Sequence, residues 1–342
     1  MMSDSSKTEP VPAAMASPAI DSIVRRPHSI RRTSSIDMHL GPGGLTLHAN
    51  ARDLVTHGDS DTTVTSEAIV AASVDSTGVM ARLVAEPDRG NAAHLVGVPV
   101  SSGFRRAVRH AYPDDVATST VMALLLDELP VATLISGYAR LYSGDVPAAA
   151  YRDGMKSDIC SGWRTDGTMM RSVRAGAGVP VTVGPPAPDV RVDLDIDPLG
   201  WHQISSLTAG SMRRRRLVDV HTDGNQWSVY AMFRDSHRPV AGVETVLHEY
   251  TLTATVDATS RVFRTCTAVP RVLPWVECPV AAASAERLVG RDVDATRDVV
   301  RSDLRGTSTC THLNDLLRSL GDVGALVDTL NSVHRDRQRF SG

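Results

Sequence analysis

The chain has 342 residues, 42% of them hydrophobic but only 4% aromatic, so its cores must be built from Val, Leu, Ala and Met. A formal net charge of −3 gives no electrostatic case for nucleic acid. No apolar run approaches the length of a membrane span and no secretory leader pattern is present, so a cytoplasmic protein without a membrane partner is expected. Four cysteines, Cys160, Cys266, Cys278 and Cys310, in a chain of this length read as thiols and not as a disulfide framework.

Residues 1–30 are rich in Ser, Pro, Ala and Thr and read as a disordered tail. Arg31-Arg32-Thr33-Ser34-Ser35 reads as the polar start of a first strand, with a basic phosphorylation patch as the competing reading. Gly43-Gly44 and Asp75-Ser76-Thr77-Gly78 supply turns between strands in a first repeat, 31–144. A connector over 145–212 contains Val179-Pro180-Val181 and Gly184-Pro185-Pro186-Ala187-Pro188, which are loop signals. It also holds Cys160, Trp163, Trp201 and His202, and is therefore expected to be ordered and packed in the seam between the halves.

A second repeat, 213–335, opens with Leu217–His221 and the turn Thr222-Asp223-Gly224-Asn225. Strands follow at Gln226–Phe233, Thr245–Val256 and Arg261–Val269. Pro279 is placed as the first residue of a helix reaching Leu288, and further helices are expected over Val293–Leu304 and Thr311–Val333, the last broken near Gly321 or Gly324. The fold class is α+β, with helices on one face of an antiparallel sheet in each repeat.

The two repeats echo each other. Sliding 32–75 onto 214–257 gives twelve identities in 44 positions, among them Arg32/Arg214, Arg52/Arg234, Asp53/Asp235 and Glu67/Glu249. Tandem duplication explains this, and it supplies an internal control: chemistry present in one copy alone is not demanded by the shared frame. Cys310 and His312 meet that condition, since Ser119 and Val121 stand at the matching positions.

Cys310 and His312 are accordingly the catalytic candidates. A thiol at a helix N-terminus would be activated by the helix dipole, with His312 as base. Cys278, at a strand-to-helix transition, could join Asp223, Cys310 and His312 in a zinc site, although no CxxC spacing supports it. Arg213, Arg214, Arg215 and Arg216 form either a solvated strand edge or a clamp for a small anionic molecule. His248 and Tyr250 should share one face of a strand and Glu249 the other, Glu249 being structural because Glu67 matches it.

Several of these segments resemble a bacterial family known as domain of unknown function 2889. They are Arg213–Arg216 with Val218-Asp219-Val220, Arg234-Asp235, His248-Glu249-Tyr250, Glu277-Cys278-Pro279, Gly306 through Leu313, and Cys160-x-Gly162-Trp163. The stretch Cys278–Ala285 followed by Leu288-Val289-Gly290-Arg291, with Cys310 and Asp223-Gly224, is also similar to NifU/IscU-type scaffold domains, which implies a zinc or iron–sulfur site at those residues. The leading expectation is a small-molecule enzyme with a Cys/His site in the second repeat. A metal-binding or sulfur-handling scaffold, or a non-catalytic binding module, are the alternatives.

Overall fold

The computed structural model describes residues 10–19, 24–58, 61–145 and 156–340. Elements in chain order are β1 (Val11–Pro12), β2 (Met15–Ala16), β3 (Ser29–Gly41), β4 (Gly44–Thr56), β5 (Thr62–Val74) and β6 (Met80–Glu86). Next come α1 (Phe104–Ala111), α2 (Pro113–Ala117), α3 (Val121–Ile135) and α4 (Gly137–Ser143). The connector contributes α5 (Thr168–Arg174), β7 (Thr182–Val183) and α6 (Val190–Ile196). The second half supplies β8 (Ser211–Asp223), β9 (Gln226–Arg238), β10 (Thr245–Asp257), β11 (Phe263–Leu273), α7 (Thr296–Asp303), α8 (Thr311–Ser319) and α9 (Val323–Phe340).

The α+β class holds, but the two four-stranded meanders are not separate sheets. They join edge to edge and, with β2 added beside β11, form one nine-stranded sheet of order β2-β11-β10-β9-β8-β3-β4-β5-β6. The junction is a full antiparallel pairing of β3 with β8, from Ser29↔His221 to His39↔Ser211. Joining the meanders here removes two edges that would otherwise expose unpaired backbone groups. Turn chemistry is as the sequence implies: Gly44 has φ +125°, and a Cβ there would stand 2.2 Å from the Val74 carbonyl oxygen.

Helices cover one face over two cores. The first is formed by Ile36, Leu47, Val70, Phe104, Leu125 and their neighbours, the second by Val218, Phe233, Tyr250, Leu313, Leu326 and theirs. The opposite face carries Trp201, which packs on Leu217 and Met232. His202 bridges Thr33 (2.9 Å) and Ser35 (2.8 Å) of β3. Trp201 and His202 thus span both halves, being 3% and 5% exposed. Trp163 instead packs, partly buried, against the second-half core.

Three expectations are corrected. The first is the disordered tail: within it β2 pairs with β11, β1 pairs with β7, and Arg234 and Glu249 both bond the Ala19 backbone. The open edge of β11 accepts this segment, and composition cannot reveal an acceptor edge elsewhere in the chain. Residues 1–9 and 20–23 lie outside the described residues. Secondly, the stretch from Cys278 to Leu288 is a 3-10 helix and not an α-helix. Thirdly, the phosphorylation reading of Ser34 and Ser35 fails, because both are buried in a central strand. One helical stretch, Val121–Ser143, is long and apolar enough to cross a membrane by length and composition, with 61% of its apolar window buried in the protein.

Two outcomes follow from the seam. Trp201→Ala should cost about 3–5 kcal/mol in urea unfolding, as for other buried large aromatics. His202 is held neutral by burial, with nearby Arg52, Arg213 and Arg215 adding to the effect, and its pKa falls from 6.5 to about 3. Below about pH 6.5 the unfolded chain takes up a proton that the folded one refuses, so His202 erodes stability as pH drops towards 3. His202→Gln should therefore show a shallower loss of stability than wild type over that window.

Candidate active site

The arginine run was expected to be a solvated edge or an anion clamp, and it is neither. All four side chains are buried in the sheet. Arg213 forks onto Asp37 (2.5 and 2.6 Å). Arg214 forks onto Asp235 (2.7 and 2.9 Å) and also reaches Asp315. Arg216 meets Glu128 at 2.6 Å and Asp315 at 2.8 Å. Arg215 lies over the Trp201 ring, 5.2 Å from its centroid, and burial lowers its pKa to about 10. Arg213, Arg214 and Arg216 are already paired with internal carboxylates, and Arg215 is buried against Trp201, so none of the four is presented to a ligand as a clamp.

The pairs recur 182 residues apart. Arg32–Asp53 matches Arg214–Asp235, and Arg31–Asp219 matches Arg213–Asp37 across the β3/β8 junction. Bulges recur likewise: Thr65 is the extra residue in β5 against β4, and Leu247 in β10 against β9. The second bulge lets Leu247 and His248 both face the helices, Leu247 entering the first-half core. His248 then lies directly opposite Asp235.

His248 meets His312 from the first turn of α8. The two rings stack with centroids 3.8 Å apart and an interplanar angle of 19°. His248 Nδ1 is 3.6 Å from Asp235 Oδ2 and makes no hydrogen bond among the described residues. One donor atom from each of Asp235, His248 and His312 lies within 4.8 Å of the others. Burial, then the neighbouring His248, lowers the His312 pKa to about 3, leaving a neutral imidazole. Burial alone would raise the Asp235 carboxyl; Arg214 and then His248 outweigh it and hold the group well below the usual carboxylate range.

His312 forms part of the wall of a cleft of about 1050 Å³ between α1 and α3 of the first half and α7 and α8 of the second. Six arginines line it, Arg105, Arg106, Arg109, Arg297, Arg301 and Arg318, against four carboxylates, Asp127, Asp294, Asp298 and Asp315. Among the described residues Arg106 and Arg109 have no ion pair. Val131, Leu134, Ile135, Val300 and Leu304 give the cleft an apolar side.

Cys310 does not join His312. Its thiol turns inward beside Tyr250, with Cys278 and Cys160 as electrostatic neighbours, so three cysteines from three segments share one buried region. Gly162 packs tightly there: a Cβ would stand 2.8 Å from Cys278 Sγ. Cys310 is indeed the N-cap of α8, yet burial outweighs the hydrogen bonds of that helix start and raises its pKa to about 11. The activated nucleophile expected of Cys310 is thus corrected to a protonated core thiol. The proposed zinc set also fails. Asp223 is exposed at the far end of β8, about 30 Å along the strand from Arg214, and cannot meet Cys278, Cys310 or His312. The ligand set implied by the NifU/IscU likeness therefore does not assemble.

His248 and Asp235 were missed as candidate site residues. The signal was available: Asp235 sits in the repeated Arg–Asp pair, while His248 replaces Ser66 of the first half at the residue after the repeated bulge.

Residues 212–325 match the family model described as "Protein of unknown function (DUF2889)". That segment is similar to the family. It spans β8 to the start of α9 and contains Asp235, His248 and His312 as well as Cys278 and Cys310. No curated protein and no solved structure matches the chain.

Burial predicts the thiol chemistry. In the folded protein Cys160, Cys278 and Cys310 should all label with a thiol reagent far more slowly than in urea, and Cys310 no faster than Cys266, whose pKa burial raises to about 12. Mass spectrometry of timed, trypsin-digested samples resolves the four sites.

Proposed function

We propose that the protein is a small-molecule enzyme whose substrate is an anion with an apolar body, bound in the cleft between the halves and acted on at His312. The observation that carries this reading is the cleft itself: six arginines against four aspartates, two of the arginines without ion pairs, one apolar side, and a neutral imidazole in the wall. Arginine suits this task because its planar fork matches carboxylate and phosphate oxygens. A neutral His312 offers the bound substrate an uncharged hydrogen-bonding or ligating group and not a strong base. Cys310 has no part in the reaction on this reading.

The reading treats the two halves as copies of one unit, of which only the second acquired a site. Support comes from the ion pairs and bulges repeated at an offset of 182 residues, and from Ser66 and Val121 standing where His248 and His312 stand. An intracellular place fits four cysteines that are all free. A second reading, a sulfur-handling or metal-holding scaffold, draws on the buried grouping of Cys160, Cys278 and Cys310.

Calorimetric titration of the full chain with octyl phosphate, octanoate and uncharged octanol tests the cleft. The two anions should bind and the alcohol should not. Replacing both Arg106 and Arg109 by Ala should weaken anion binding about tenfold or more, since a charge-assisted hydrogen bond contributes about 1.5–3 kcal/mol. Binding that is indifferent to charge, or to the two arginines, would overturn the reading.

A further inference from the structure

We propose that Asp235, His248 and His312 form a binding site for one divalent transition-metal ion, set into the wall of the cleft. The ion's place facing a substrate rests on the reading of the cleft given above; its binding does not.

The donor set is two imidazoles and one carboxylate, a combination that suits Zn²⁺ and related ions when a further position is left open. His312 lines the cleft, so that open position faces the cleft and not the core. Donor atoms of the three residues already lie within 4.8 Å of one another. Tetrahedral ligands at about 2.0–2.1 Å from an ion are about 3.4 Å apart, and imidazole lone pairs lie in the ring plane, so metal binding requires the two stacked rings to rotate out of parallel as the donors close in. His248 Nδ1 is buried without a hydrogen bond, the condition of a donor that has a lone pair to give.

Arg214 does not preclude the ion. It donates one hydrogen bond to each Asp235 oxygen, and each carboxylate oxygen retains a second lone pair. Arg214 then acts as an outer partner that fixes the carboxylate, as such partners do in metal sites, and its charge is shared with Asp315. The first half shows what the frame needs without an ion. There the Arg32–Asp53 pair and the bulge are kept, but Ser66 and Val121 remove two of the three donors. The second half thus brings together two imidazoles and a buried carboxylate that the first half does without.

The test uses untagged full-length protein stripped of metal and titrated with Co²⁺ and, separately, Zn²⁺. One equivalent should bind, and Co²⁺ should give the visible bands of nitrogen and oxygen ligation without sulfur-to-metal charge transfer. His248→Ala and His312→Ala should each weaken binding at least tenfold, whereas Cys278→Ser and His334→Gln should leave it unchanged. The His334 control covers the other histidine grouping, in which His334 lies 5.6 Å from His28 and 5.3 Å from His57 between ring centroids. Sulfur charge transfer, loss in Cys278→Ser or His334→Gln, retention in both histidine variants, or no binding near one equivalent would each overturn the proposal. Anion titration of the metal-free protein is read separately, so failure of the cleft and failure of the metal site are distinguishable.

Discussion

Everything in this molecule depends on burying arginines next to aspartates at the β3/β8 junction. On the connector face Arg31 pairs with Asp219 and Arg213 with Asp37, so each half gives one guanidinium and one carboxylate to the other. On the helix face Arg32 reaches Asp322 and Arg216 reaches Glu128, again crossing between halves. Burying charge is costly, and such pairs contribute less stability than apolar packing of the same volume would. What they supply is register. A one-residue slip of β8 along β3 would leave several buried charges unpaired at once, each at a cost of several kcal/mol.

Register is also what places the site. Arg214 is fixed by Asp235 and Asp315, so β9 and α8 are tied to the same guanidinium. Asp235 then sits opposite His248, and α8 delivers His312 onto the His248 ring. The cleft arises because helices from both halves stand over one continuous sheet, leaving a gap between α1 and α3 on one side and α7 and α8 on the other. Neither half alone would form it.

Much of the fold was legible in the sequence, because strands advertise themselves by alternation and turns by Gly and Asp. The hairpin at Thr222–Asn225, the strands from Gln226 to Val269 and a helix break near Gly321 or Gly324 all came from local chemistry. What local chemistry could not reveal was partnership. Arg213–Arg216 looks solvated in a sequence, since only the register with β3 and β9 shows which carboxylates neutralise it. For the same reason the tail's strand at Met15–Ala16 was invisible, its partner lying more than 250 residues away in β11. The site was half legible. His312 was singled out because the first half lacks it, but it was joined to Cys310 by proximity in sequence. A helix turns neighbouring side chains by about 100° per residue, so residues two apart point to different surroundings. Cys310 faces the core and His312 the cleft.

The central claim is that the second half's histidines stand on a frame that does not need them. Its most direct measurement is the unfolding free energy of the double variant His248→Ser and His312→Val, which carries the residues of the first half at both positions. The account predicts stability within about 1 kcal/mol of wild type, the range of substitutions that break no buried network. A loss of about 3 kcal/mol or more would contradict it, by making the stacked pair part of the fold and not of the function.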